Sequence, residues 1–192
     1  MPLKTPELTK FTTASPILAS FPAVDIANGT GDQTYHLVQV MKSGGLDLIL
    51  SPTAIEVEAP ASGGNGWNST TYAAFDLGPY NLPRAIRGVV SFVGMVNHTG
   101  TDATISAKLY HVESDGTTET LIGDEVTSQT KNQDLNFNLS FDVARKQFKS
   151  GEYLRLYVKM SNVALKISID PTDTTPAGIT HSKLIVPYIT GV

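Results

Sequence analysis

Cysteine is absent from this chain of 192 residues. That excludes a disulfide frame and a thiolate metal site, and it leaves the redox compartment open. Charge is sparse as well: Asp, Glu, Lys and Arg make up 17% of the residues, below the usual quarter. Ser, Thr, Asn and Gly fill the deficit, which is the polar half of a β-rich protein and not of a helical one. The net charge of -4 favours solubility. It also argues against nucleic acid as the main partner, because neutralising phosphates needs clustered Lys and Arg. The one basic run, "ARKQFK", reads as a solvated turn. No stretch of eighteen apolar residues occurs, so no helical membrane span is expected. In the opening segment "MPLKTPELTKFTTASPILASFPAV" the apolar piece is short, late and interrupted by Pro22. A signal peptide is therefore not expected, and synthesis and assembly in the cytoplasm are.

Catalytic motifs are missing too. A nucleophilic hydrolase needs Ser or Cys beside an oriented His, and the chain carries no G-x-S-x-G elbow. His36, His98, His111 and His181 are scattered without a shared local motif, and no closely spaced pair suits zinc. "SGGNG" and "KSGGL" lack the strand, turn and helix context that phosphate cradling requires. Calcium is the remaining metal candidate, through Asp170 and Asp173 of "DPTDTT" or Glu113, Asp115 and Glu119 of "ESDGTTE". Hard oxygen ligands on β loops can hold it only if six to eight oxygens converge. Asp-Pro and Asp-Gly serve turns for purely conformational reasons, so no cofactor and no metal is expected. The sequons at Asn28, Asn68, Asn97 and Asn138 carry no weight without a secretory signal.

What is present is a period of two. "LNFNLSFDV" sets Leu135, Phe137, Leu139, Phe141 and Val143 on one face and Asn136, Asn138, Ser140 and Asp142 on the other. That is a strand with one wet face. "GEYLRLYVKM" repeats it, with Leu154, Leu156, Val158 and Met160 inward. Roughly nine or ten such strands, separated by Gly, Pro, Asn and Asp, predict an all-β fold. The expected form is a two-sheet antiparallel β-sandwich, jelly-roll or immunoglobulin-like, over residues 34–192. Asp115-Gly116 marks the best tight hairpin, as a two-residue loop wants positive φ. "DVARKQF" is the one plausible helical turn, with Ser140 or Asp142 as its N-cap.

Residues 1–33 differ. Pro2, Pro6, Pro16 and Pro22 favour extended backbone. Leu8, Phe11, Ile17, Leu18 and Phe21 make the segment too apolar for a solvated linker. An extended arm lying along another surface is the expectation. One strand points to the same need for company. In "RAIRGVVSFVGMVNH", Ile86, Val90, Phe92 and Val96 share one face while Ala85, Val89, Val93 and Met95 share the other. A strand apolar on both faces should be covered on both, and a second sheet covers only one. The chain's only tryptophan, Trp67, sits in "PASGGNGWNST" near Tyr72 and Tyr80. It can serve as a partner contact, as an anchor on its own domain, or as a sugar-stacking platform.

The stretch from Arg84 to Val192 runs through "SFVGMVNHTGTDATISAKLYHVESDGTTETLIGDEVTS", "FKSGEYLRLYVKM", "SIDPTDTT" and a closing "KLIVPY". This layout resembles the β-sandwich head proteins of tailed double-stranded DNA viruses, in particular the decoration or cement proteins on the capsid exterior. The resemblance implies a non-enzymatic clamp, commonly trimeric, that binds the major capsid protein shell in the virion and uses a terminal arm to reach neighbours. The interface residues then expected are Leu8, Phe11, Ile17, Leu18, Phe21, Trp67, Tyr72, Val89, Val93 and Met95. At 192 residues the chain is larger than many simple cement proteins, which keeps a turret, fibre-base or tail role in view. A carbohydrate-binding β-sandwich, freestanding or part of a viral receptor-binding structure, is the alternative.

Overall fold

The computed structural model describes residues 31–42, 45–53, 66–98, 102–130, 135–163, 165–169 and 181–189. Among these residues there is no helix, and the fold is all-β. The strands are β1 (Gly31–Lys42), β2 (Gly45–Ser51), β3 (Gly66–Trp67), β4 (Ala73–Leu77), β5 (Arg84–His98) and β6 (Ile105–Val112). They continue with β7 (Glu119–Thr127), β8 (Leu135–Phe148), β9 (Tyr153–Met160), β10 (Leu165–Ser168) and β11 (Lys183–Ile189). β1 begins at Gly31, three residues inside the segment that the sequence marks as an arm.

The strand order is β3-β10-β5-β11-β1-β2-β4-β9-β6-β7, with β8 paired to the other edge of β5. Every pairing is antiparallel except the contact of β2 with β4, which is parallel and rests on the single pair Ile49–Asp76. Strands far apart in this order nevertheless touch. The Trp67 ring of β3 stands edge-on to Phe75 of β4, at 5.1 Å between centroids. His111 of β6 meets Phe148 of β8 at 5.0 Å. The sheet is therefore curled, and its inner side encloses one core. Phe75, Phe92, Phe141, Leu109 and Leu156 lie in that core, all fully buried. Gly123 on β7 helps the curl close: a Cβ there would come within 3.0 Å of the Phe141 Cβ on β8. Only a residue without a side chain allows the two strands to approach so closely.

The alternation read from the sequence decides which side faces in. On β9, Leu154, Leu156, Val158 and Met160 are buried while Tyr153, Arg155, Tyr157 and Lys159 point outward. On β8, Phe137, Leu139, Phe141 and Val143 are buried, and Asn136, Asn138, Ser140 and Asp142 are exposed.

Two local expectations are corrected. "DVARKQF" is no helical turn; it is the second half of β8, with Lys146, Gln147 and Phe148 paired to Ile86, Ala85 and Arg84. Between Val143 and Lys146 this strand has one residue more than β5 has between Gly88 and Ile86. That β-bulge shifts the phase by one, so the inward series passes from odd positions to Phe148. The broken period, filled with the good helix formers Ala, Arg, Lys and Gln, imitates a helix end. Pairing along β5 overrides that propensity. The second correction is the β6–β7 hairpin. It turns at Asp115-Gly116, but its loop spans the four residues Ser114 to Thr117, between Glu113 and Thr118. Gly116 N–H donates to the Glu113 carbonyl and Glu113 N–H to the Thr118 carbonyl, both at 2.9 Å. Gly116 alone takes a positive φ, +72°. Asp115 is instead consumed as an acceptor of the Thr117 N–H, the Thr118 N–H and the Thr118 hydroxyl. Those bonds, the Thr118 hydroxyl foremost, hold its carboxyl well below the usual carboxylate range.

Candidate binding face and the polar clusters around it

β5 has a filled side and an open side. Ile86, Val90, Phe92 and Val96 are wholly buried. Of the opposite set, Ala85 is buried, Val93 and Met95 are half-buried, and Val89 is 51% exposed. Neighbouring β11 continues this outer surface with half-buried Ile185, Pro187 and Ile189, while Leu184, Val186 and Tyr188 turn inward. The register sets Ile185 opposite Ser91 and Ile189 opposite Ala85, so the apolar side chains of the two strands share one band, interrupted on β5 by exposed Arg87 and half-buried Ser91. The other flank of β5 is the exposed polar side of β8. At the β11 end of the band sit Lys183, His36 and His181. Burial, then the positive charge of Lys183 and the nearby His181, pushes the His36 imidazole below its ordinary pKa.

Val89, Val93 and Met95 are thus brought together, and Trp67 and Tyr72 are not brought to them. Trp67 pairs with Ile167 of β10, which in turn opposes Val96. This places Trp67 on the inner side, partly buried against the core and on Phe75. Tyr72 lies on the outer side of β4, β9 and β6. Its hydroxyl donates to Glu125 at 2.5 Å, and the ammonium groups of Lys108 and Lys159 lie 4.6 and 4.4 Å from its ring centre. Its ring stands edge-on to Tyr157, which is edge-on to Tyr110. Leu8, Phe11, Ile17, Leu18 and Phe21 lie outside the described residues, as do Asp170 and Asp173.

Five acidic side chains of the described residues, Asp76, Asp115, Glu119, Glu125 and Glu152, are engaged by partners within the fold. Asp76 accepts two hydrogen bonds from Arg155, Nε to Oδ1 at 2.5 Å and Nη2 to Oδ2 at 2.7 Å. Glu119 accepts from Arg155 Nη1 and, at 2.8 Å, from the Tyr157 hydroxyl. Asp76 above all, with Glu119, raises the guanidinium further above its ordinary range. Glu119 and Asp115 are therefore held apart in function, one by Arg155 and the other by its own turn. No cluster of three metal-ligating side chains occurs among the described residues. Cross-strand pairing put Arg155 opposite Asp76. The sequence signals only that both are outward residues, since nothing local links positions so far apart in the chain.

His111 and Glu152 form a buried pair, with Nε2 2.7 Å from Oε2. The same carboxylate accepts the Lys149 backbone N–H at 2.7 Å, while His111 Nδ1 has no hydrogen-bond partner among the described residues. Burial acts to raise the Glu152 pKa. The Lys149 N–H and His111 outweigh it, and the carboxyl is held below its ordinary value. A carboxyl depressed in the folded state adds stability at pH values above about 4.3, its unfolded value. That stability is lost as pH falls through the lower folded value. Urea midpoints measured across the acid range will therefore fall more steeply for the natural protein than for Glu152→Gln. Parallel curves would show that Glu152 contributes nothing to acid sensitivity.

No protein-family model matches the chain, and no curated protein matches it in sequence. Solved structures do resemble it in shape. A CocE/NonD family hydrolase from Staphylococcus aureus superposes with a TM-score of 0.54 at 12% identity, covering 81% of this chain and 36% of that one. An aminopeptidase from the marine sediment archaeon Thaumarchaeota archaeon gives 0.51 at 11% identity, covering 81% and 37%. The chain spans little more than a third of the length of either protein. Likeness at this identity concerns the fold alone.

Proposed function

We propose that this chain is a non-enzymatic structural protein of a viral particle, a decoration protein that binds and stabilises the major capsid protein shell from outside. The observation that carries the reading is the apolar band on the outer side of β5 and β11, with Val89 open to solvent at its centre. An apolar band of this kind, rimmed by polar β8, is the usual form of a protein contact surface. In this reading the curled sheet works as a two-layer β-sandwich. β4, β9, β6 and β7 back the core from one side, so that β5 and β11 present their outer surface to the shell. A trimer on the virion exterior multiplies weak contacts by symmetry. The hydrolases that share the fold add nothing to this assignment, because their chemistry does not follow from their β architecture.

The experiment is co-sedimentation with shells assembled from the major capsid protein encoded alongside this chain, together with the protein's mass in solution. Binding, a three-chain mass and greater heat resistance of the shells are expected. A monomer that stays in the supernatant would sink the assignment. A chain beginning at Gly31, which keeps β1 whole, tests the arm: full affinity without residues 1–30 would remove the arm from the mechanism.

The carbohydrate reading retains one observation, the outward row of Tyr72, Tyr157 and Tyr110. It does not retain Trp67, whose ring is engaged with Phe75. Titrating a glycan panel while following tyrosine ring resonances by NMR separates the two readings, and unchanged Tyr72 and Tyr110 signals exclude sugar at that row.

A further inference from the structure

Among the described residues, three strands of the sheet pair on one side only: β3, β7 and β8. An open strand edge offers a row of backbone N–H and C=O groups to any extended chain. Proteins guard such edges by shortness, charge, proline or bulges. β3 is guarded by its length, two residues. β7 carries Glu119, Asp124 and Glu125, and its register against β6 shifts twice. β8 has no such guard over residues 135–143. That stretch holds no Lys, Arg, Pro or Gly, its register against β5 is unbroken, and Asp142 is its single charge. The bulge, Arg145 and Lys146 come only after it. Asn136, Asn138, Ser140 and Asp142 stand exposed on its outer side.

The same stretch is complementary to itself when reversed. Antiparallel pairing of two such strands keeps inward side chains inward only if opposed residue numbers have an even sum. Centred on Leu139, the pairing opposes Leu135 to Val143, Phe137 to Phe141, Asn136 to Asp142 and Asn138 to Ser140. Aliphatic meets aliphatic and aromatic meets aromatic. Each outward pair sets an amide against a carboxylate or a hydroxyl, and no like charges are opposed, which is what favours cross-strand association. Only this centre uses the whole unguarded stretch.

We propose that β8 is an interface between two copies of this chain, joined antiparallel over residues 135–143 about a twofold axis through Leu139. The axis stands perpendicular to the sheet, so the two sheets become continuous through their β8 strands. The outer sides of the two β5 strands then face the same way, about 14 Å apart across three strand spacings. Two apolar bands become one broader surface, and a partner that touches both is held by linked contacts. A twofold contact cannot close a ring of three, so in a trimer it joins chains of different trimers.

The chain has no cysteine, so an introduced disulfide can report the register. Asn138→Cys and Ser140→Cys chains are mixed in equal amounts in a glutathione redox buffer. A two-chain product is expected on a denaturing gel without reductant, since opposed residues lie within about 5.5 Å. Asp142→Cys alone is the control: its two copies lie about 20 Å apart in this register and should not link. No product from the mixture overturns the proposal, as does equal linking of Asp142→Cys. A second arm uses charge, because Asn138→Lys with Ser140→Lys opposes lysine to lysine twice. In concentrated solution this variant should sediment with at most half the mass of the natural protein. Mixing it with a chain carrying Asn138→Asp and Ser140→Asp should restore the larger mass. Equal masses for the natural and lysine chains overturn the proposal too. All three positions are exposed, so the substitutions leave the core intact. Neither arm contains shells, so its failure is distinct from a failure of shell binding.

Discussion

Replacing Phe92 with Ala will cost the protein about 3–5 kcal/mol, the range for emptying a large aromatic site in a core. Phe92 is wholly buried. It stands edge-on to Phe137, 4.9 Å between centroids, and lies between Leu139 of β8 and Leu184 of β11 in the sheet. Neighbours fixed in a hydrogen-bonded sheet on both sides cannot collapse into the space, so the loss combines transfer and cavity terms. A domain of ordinary stability has about 5–15 kcal/mol in all, so the variant will unfold at a much lower urea concentration. A cost under about 1 kcal/mol would show that the inner side of β5 is loosely packed.

Three residues to either side of Phe92 on the same strand the expected outcome reverses. Val89→Asp combined with Met95→Asp will weaken shell binding by about a hundredfold or more, as charges placed in a desolvated apolar contact do. The melting temperature should move by only a few degrees, because both side chains point away from the core and Val89 is half open to solvent. Sedimentation with shells measures the first quantity and a thermal scan the second. Undiminished binding would mean that the shell does not touch the β5 and β11 band. A collapse in stability would mean that the outer side is structural. The contrast with Phe92→Ala is the useful part: two faces of a single strand are assigned two different tasks, and each substitution reports on one.

The open side of β5 was legible from the chain itself, since apolar residues at both parities need two covers and a curled sheet provides one. Trp67 was legible only as three alternatives, of which the structure takes the anchor on its own domain. Its polar neighbours make it look like a loop residue, yet β3 pairs it to Ile167 and turns its ring onto Phe75. The meeting of Tyr35, Tyr80 and Tyr188, which come from β1, the β4–β5 turn and β11, was not legible. Tyr80 reads as a stacking candidate beside Trp67 and Tyr72, Tyr35 and Tyr188 read only as strand residues, and it is strand order that makes their hydroxyls meet. The acidic candidates Glu119 and Asp115 share a short stretch of sequence, but one is drawn to Arg155 and the other closes a turn.

The amino-acid order alone determined the all-β class, most strand positions and which residues of β8 and β9 face inward. A period of two is a local property, written into each segment by the geometry of the extended backbone. Tertiary structure decided the rest: the bulge that carries β8 past "DVARKQF", the burial of Trp67, the Arg155–Asp76 pair and the tyrosine chain. Each of these depends on which strands become neighbours, and pairing partners distant in sequence leave no mark on the local pattern of either one.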